Sequence, residues 1–320
     1  MMEWTDRHCR HFHRLLTRRT RLYTEMVSTG ALLHGDAARH LDFNAFEQPV
    51  ALQIGGSEPA ELAAAARLGE RWGYQEINLN CGCPSERVQK GAFGACLMAE
   101  PELVAQGVRA MCEAVSIPVT VKHRIGIDRL DRYGFVRDFV GTLSEKGGCT
   151  VFIVHARSAW LQGLSPKENR ELPPLRYDTV HRLKSDFPRL TFVVNGGIAE
   201  AGDIAMQLGH VDGVMVGRAA YHDPFAMHGW DSRFFGEAPG IADRDGVESM
   251  MVEYMERVAA EGLPWTRVSR HMLGLRHGTP GARHWRQVWS DHRLQHLSPR
   301  EVSRLARSAT AHLAESEALT

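Results

Sequence analysis

Seven short apolar runs, near residues 22, 50, 77, 118, 151, 191 and 213, alternate along the chain with segments of helical length. Each run is only a few residues long and rich in Val, Ile and Leu, as in Val151-Phe152-Ile153-Val154. Runs this short, apolar on both faces and joined by amphipathic stretches, belong to a parallel sheet with crossover helices. Nearly every run ends in glycine or a polar residue. That favours a (β/α) barrel, which carries its chemistry at the C-terminal ends of its strands, over a doubly wound sheet. A closed barrel takes eight strands. The sequence supplies seven, and the helix read at 6–16 has no strand before it.

Beyond Arg218 the pattern changes. Residues 219–240 read as linker, with Pro224, Trp230 and Pro239. From Asp243 the periodicity is helical only, over 250–260, 265–275, 281–294 and 299–313. The expected organisation is an α/β chain: a barrel over residues 1–240, its first strand absent, and a helical domain over residues 241–320. A chain of 320 residues, 43% hydrophobic, is long enough for both. No run of 18 apolar residues marks a membrane span, and the N-terminus lacks the apolar core of a signal peptide. Six cysteines in a chain of this length do not make a disulfide framework and fit a cytoplasmic protein.

The run at residue 77 ends in Asn80-Cys81-Gly82-Cys83-Pro84, followed by a glycine-rich 91–95 segment read as flexible. Structural zinc sites take wider cysteine spacing and four ligands. Cys96, Cys112 and the N-terminal His8, His11 and His13 do not complete such a set, so no metal is expected. Cys81 fits plain core. Cys83, between Gly82 and Pro84, is posed at the rim, and a thiol of ordinary pKa about 8.5 can act as a general acid.

Two consecutive late loops, Asn195-Gly196-Gly197 and Gly217-Arg218, offer backbone N–H groups and a cation. Either alone is equally an ordinary tight turn. Together, in the position where such barrels hold phosphate, they favour a phosphate-bearing ligand. Gln53, Lys122 and His155 each end an apolar run. Singly such residues are solvated rim positions. Jointly they favour a mononucleotide cofactor, because a flavin takes an amide beside its pyrimidine ring and a cation near the end that becomes anionic on reduction.

Overall charge is balanced, 38 basic against 38 acidic residues, and identifies no partner. Locally, residues 267–307 hold nine arginines against Asp291 and Glu301, a net of +7, with Trp285 and Trp289 interleaved. This is either a solvated helical face or a nucleic-acid backbone patch. Arg283 and Arg286, one turn apart, are its sharpest candidates.

The stretches 80–85, 121–126, 154–157, 195–198 and 216–219 resemble the tRNA-dihydrouridine synthases. Residues 23–31, 166–171 and 271–275 resemble the A-type subfamily, which acts on D-loop positions 20/20a. The resemblance spans almost the whole chain in order. It implies an FMN-dependent barrel that reduces a uridine of tRNA with NADPH. It places FMN contacts on Gln53, Lys122, His155, Asn195, Gly196, Gly197, Gly217 and Arg218. It places tRNA contacts on Asn80, Lys167, Arg170, Arg283 and Arg286. Cys83 would protonate carbon 5 of the uracil while hydride reaches carbon 6. The family's chain begins with a strand ending in Ala-Pro-Met; Met1-Met2-Glu3-Trp4-Thr5-Asp6 resembles only the end of that motif. Two rival readings remain at this point: a small-molecule flavin barrel, such as a dihydroorotate or enoate reductase, and a tRNA-binding module with a decayed barrel.

Overall fold

The structure, a computed structural model, describes residues 1–238 and 243–317, without side-chain placement at 87, 90 and 309–317. Among them are seven strands: β1 (Leu22–Ser28), β2 (Val50–Gly55), β3 (Glu76–Cys81), β4 (Val119–Arg124), β5 (Val151–His155), β6 (Thr191–Asn195) and β7 (Gly213–Met215). They form one parallel sheet in the order of the chain, each strand paired with the next. An unbroken sequential order has no switch point, which excludes the doubly wound alternative. The sheet is a curled, barrel-type α/β sheet, with β1 and β7 unpaired to each other among the described residues.

Side chains alternate across these strands. In β3 Ile77, Leu79 and Cys81 take one face, and all three are buried. Ile77 approaches the position a Cβ on Gly69 would occupy, which places this face against the helix Pro59–Trp72. Glu76, Asn78 and Asn80 take the other face, together with Gln53, Thr120 and Lys122, their register partners or neighbours. The polar residues therefore share the face turned away from the helices.

Local chemistry sets several boundaries. Pro59 opens its helix at the first position, and Gly73 ends it in a left-handed conformation. Ser57 makes no cap there; Glu58 holds that position. Ser28 caps the helix Thr29–His34 by accepting from the Ala31 N–H.

The chain divides into two compact units. The first comprises residues 1–2, 21–43 and 49–217. The second comprises residues 3–20, 44–48 and 218–320. The changeover falls at Gly217/Arg218, while the boundary expected at 240/241 lies outside the described residues. The N-terminal helix, read as the start of the barrel, is grouped with the helical unit. Nor is 219–238 a linker: it forms the helix Arg218–His222, a 3-10 turn Pro224–Gly229 and the helix Trp230–Phe235. Its Asp231 is buried and accepts from the Thr17 hydroxyl and the Arg18 N–H, both at 2.6 Å.

In the second unit the helix Arg7–Leu16 is buried almost throughout. Its histidines are core residues. His8 bonds the Tyr254 hydroxyl at 2.8 Å, and His11 stacks on the Tyr254 ring. Burial holds both well below the usual imidazole range, at about 4. Arg10 pairs at 2.7 Å with Glu47, which is fully buried. Among the described residues no group of three or more His, Cys, Asp or Glu is placed to hold a metal ion. No described helix is long and apolar enough to cross a membrane.

Candidate active site

The polar ends of β2 to β6 meet on one face of the sheet. Register sets Asn80 beside Lys122, Arg124 beside His155 and His155 beside Asn195. Asn80 donates to Gln53 at 2.8 Å, and Lys122 Nζ lies 3.3 Å from Asn195 Oδ1. Asn195 Nδ2 donates to the Met215 carbonyl at 2.8 Å, which ties the turn after β6 to β7. Gln53, Asn80, Lys122, His155 and Asn195, read separately from sequence, thus form one cluster.

Cys83 is half-buried on the loop after β3. Asn80 Oδ1 accepts from the N–H of Gly82 at 3.0 Å and of Cys83 at 2.9 Å. Arg124, buried at the end of β4, donates to the Gly82 carbonyl at 3.0 Å and to the carbonyls of Ser158 and Asn169. One guanidinium therefore latches the Cys83 loop to the 158–174 loop. The 91–95 segment is held rather than loose. Gly94 has φ +80, a Cβ there would meet Val88 and the Cys83 carbonyl, and the Ala95 N–H donates to that carbonyl at 2.9 Å. Cys81, by contrast, is fully buried, and burial pushes its thiol far up.

Charge is concentrated here. Burial, then the neighbouring Arg124, brings Lys122 down to about 8, while Cys83 acts in the opposite direction. Burial, followed by Arg124, Lys122, Arg157 and Arg170, holds His155 well below the usual imidazole range. His155 is therefore neutral near pH 7, and its ring makes no hydrogen bond to another described residue. It packs against Gly196, where φ is +113 and a Cβ would stand 2.5 Å from the ring. Gly197, at φ +70, is likewise open only to glycine, since Leu175 occupies the Cβ position at 2.5 Å.

Lys167 and Arg170 are exposed on the loop after β5, which buried Asn169 pins through the Trp160 and Leu164 backbone. A groove of about 750 Å³ runs between Pro84, Glu86 and Gln89 on one side and residues 161–166 on the other. Gly217 follows β7 in the first unit, whereas Arg218 opens a helix of the second.

In the second unit the basic segment is sorted by its acids. Arg276 pairs with Asp245 and Glu248, Arg270 with Asp6, Arg293 with Asp291, Arg300 with Glu256 and Arg307 with Glu248. Among the described residues Arg267, Arg283, Arg286 and Arg304 are exposed and make no ion pair. Arg283 and Arg286 sit on the outer side of the helix Ala282–Ser290. Trp285 and Trp289, which looked interleaved with the arginines, are buried core of this unit.

Sequence reasoning missed Arg124, Asn78, Thr120 and Glu76. The available signal was period-two polarity inside buried strands: Glu76, Asn78 and Asn80 in one, Thr120, Lys122 and Arg124 in the next.

The site's residues suit a flavin mononucleotide. Gln53 keeps one amide proton and one lone pair unspent, His155 is an unspent neutral donor, Lys122 supplies positive charge, and the turn after β6 admits only glycine. The chain is 54% identical over 291 residues to the tRNA-dihydrouridine(20/20a) synthase of Vibrio parahaemolyticus, covering 91% of this chain and 89% of that protein. It is 56% identical over 291 residues to the enzyme of the same name from Escherichia coli K12, covering 91% and 84%. Among solved structures it resembles a 2-naphthoyl-CoA reductase complex, with TM-score 0.53 and 9% identity over 73% of this chain and 47% of that one; that likeness concerns the fold. The profile described as Dihydrouridine synthase (Dus) matches residues 1–310, and the chain belongs to that family.

Proposed function

We propose that Cys83 is the proton donor in the reduction of a D-loop uridine, at position 20 or 20a of tRNA, on the polar face of the sheet. The enzyme is an FMN- and NADPH-dependent oxidoreductase that reduces uridine in tRNA. The position follows the names of the relatives, and the residue roles rest on the cluster. The observation that carries the reading is the Asn80 side chain. Its Oδ1 holds the Cys83 loop while its Nδ2 bonds Gln53, so one residue couples the thiol to the amide that would flank the cofactor.

Gln53, Lys122, His155, Asn195, Gly196, Gly197, Gly217 and Arg218 would hold FMN. FMN held there and reduced by NADPH would supply hydride chemistry at carbon 6 of the uracil. The C5–C6 double bond then needs one proton at carbon 5, and Cys83 Sγ–H delivers it. The thiolate left behind takes its proton back from solvent. A base inside folded tRNA must be unstacked to reach such a site. Lys167 and Arg170, and in the helical unit Arg283 and Arg286, are exposed cations suited to holding the RNA backbone. A cytoplasmic location fits a tRNA substrate.

Cys83→Ala is expected to keep the flavin absorbance and NADPH oxidation by bound flavin. Dihydrouridine formation on unmodified tRNA should fall about 100-fold or more. Dihydrouridine yield near the wild-type level would remove Cys83 from the chemistry.

A further inference from the structure

An unbroken series of side-chain hydrogen bonds runs from the Cys83 loop along the polar face of the sheet to the start of β3. The Gly82 and Cys83 N–H groups donate to Asn80 Oδ1. Asn80 Nδ2 donates to Gln53 Oε1 at 2.8 Å, Gln53 Nε2 to Asn78 Oδ1 at 2.8 Å, and Asn78 Nδ2 to Thr120 Oγ1 at 2.8 Å. Thr120 Oγ1 donates to Glu76 Oε1 at 2.7 Å. Every donor points the same way, from the loop toward Glu76. All five side chains are buried.

The direction is dictated at both ends. Glu76 pairs with Arg21 and also accepts from the Tyr23 hydroxyl at 3.1 Å. A carboxylate only accepts, so the Thr120 hydrogen must face it, and Thr120 can then only accept from Asn78. That fixes the Asn78 amide, which fixes Gln53, which fixes Asn80 with its oxygen toward the loop. From the other end, two backbone N–H groups require that same oxygen. The two requirements meet without a conflicting amide, and buried bonds aligned in one direction strengthen one another.

We propose that Glu76 and Thr120 are positioning residues for the reaction: through Asn78 they fix which way the Gln53 amide faces and hold the Cys83 loop in place. Neither residue touches the reacting atoms. The proposal rests on the reading of Cys83 and Gln53 as working groups, and its test separates the two.

Thr120→Val and Thr120→Ala both remove the hydroxyl but differ in packing, so an effect common to both reports the hydrogen bond. Thr120→Ser restores it. Three quantities are read on the purified holoenzyme: the flavin spectrum, kcat on unmodified tRNA, and the rate of iodoacetamide alkylation at Cys83 by peptide mass mapping, with exposed Cys112 as internal reference. Both Val and Ala variants should alkylate faster at Cys83, shift the visible flavin bands and lose about 10- to 100-fold in kcat, with Ser close to wild type. Unchanged alkylation and kcat in both, with only a lower melting temperature, would overturn the proposal. Faster alkylation with unchanged kcat would also overturn it, since the hold on the loop would then serve no step of the reaction, whereas Cys83→Ala tests the proton donor separately.

Discussion

Both compact units bury polar side chains, but for different purposes. In the sheet unit they are mostly neutral amides and hydroxyls, bonded to one another and leading to residues that would touch a ligand. In the helical unit they include histidines and three carboxylates, Glu47, Asp231 and Glu248, of which Glu47 and Glu248 gather arginines. Glu248 accepts from Arg276 at 2.8 Å, from the Trp285 indole N–H at 3.2 Å and from the Ser303 hydroxyl at 2.9 Å, and so joins three helices and the turn that precedes the helix Ala282–Ser290. Glu47 and Asp231 serve the N-terminal helix and its following turn in the same way. The lesson concerns where to look for function. In the first unit the working groups are the buried ones. In the second the buried charges build the fold, and only those left unpaired at the surface are available to a partner.

The largest test of this contrast is Glu248→Ala. It takes the acceptor away from the buried Trp285 N–H and Ser303 hydroxyl and leaves Arg276 with Asp245 alone, and a broken buried pair costs about 3–5 kcal/mol. Urea denaturation should show that loss. A change below about 1 kcal/mol would mean that the carboxylate is not the unit's internal anchor, and the contrast would fail.

A middle-sized effect belongs to the sheet unit. The folded state lowers Lys122 from its ordinary 10.5 to about 8, first by burial and then by Arg124. The unfolded chain therefore binds more protons between about pH 8 and 10.5, and stability rises with pH across that window. Below pH 8 the charged lysine is a constant cost. Lys122→Met removes it, so flavin-free Lys122→Met should exceed flavin-free wild type at pH 7 by at most about 3 kcal/mol. Because Lys122 is only half-buried, solvent screening reduces that figure. The advantage should shrink toward zero as pH climbs to about 10.5. A stability difference that stays flat from pH 7 to 10 would show that Lys122 carries no strain kept for an anionic ligand.

What could be read in the sequence follows the same division. The strands were legible because buried parallel strands are continuous apolar runs, as at Val151–His155. The cluster was legible where a polar residue closes such a run: Gln53, Lys122, His155 and Asn195. Asn78, Thr120 and Glu76 were hidden because their alternation with apolar neighbours reads as an ordinary half-exposed strand. Only the tertiary fold turns their polar face inward. In the helical unit charge counting misled. A net of +7 over residues 267–307 ignores Asp6, Asp245, Glu248 and Glu256, which lie elsewhere in the sequence and neutralise arginines within it. The tryptophans misled for a related reason: a core residue and an RNA-stacking residue are spelled alike.

The smallest expected effect discriminates most finely, because it compares arginines on one surface. Arg283 and Arg286 are exposed and unpaired among the described residues, whereas Arg293 is exposed and held by both oxygens of Asp291. Replacing Arg283 and Arg286 together by Ala should leave the melting temperature unchanged and weaken tRNA binding about three- to tenfold near physiological salt. The slope of log affinity against log salt should fall by about 1.5, since each lost phosphate contact removes roughly 0.7–0.9. Arg293→Ala should change the slope much less, because its charge is already balanced. If all three arginines contributed equally, ion pairing would not decide which surface charges bind RNA. If the double variant lost stability and affinity together, these two arginines would belong with Arg276 as part of the fold.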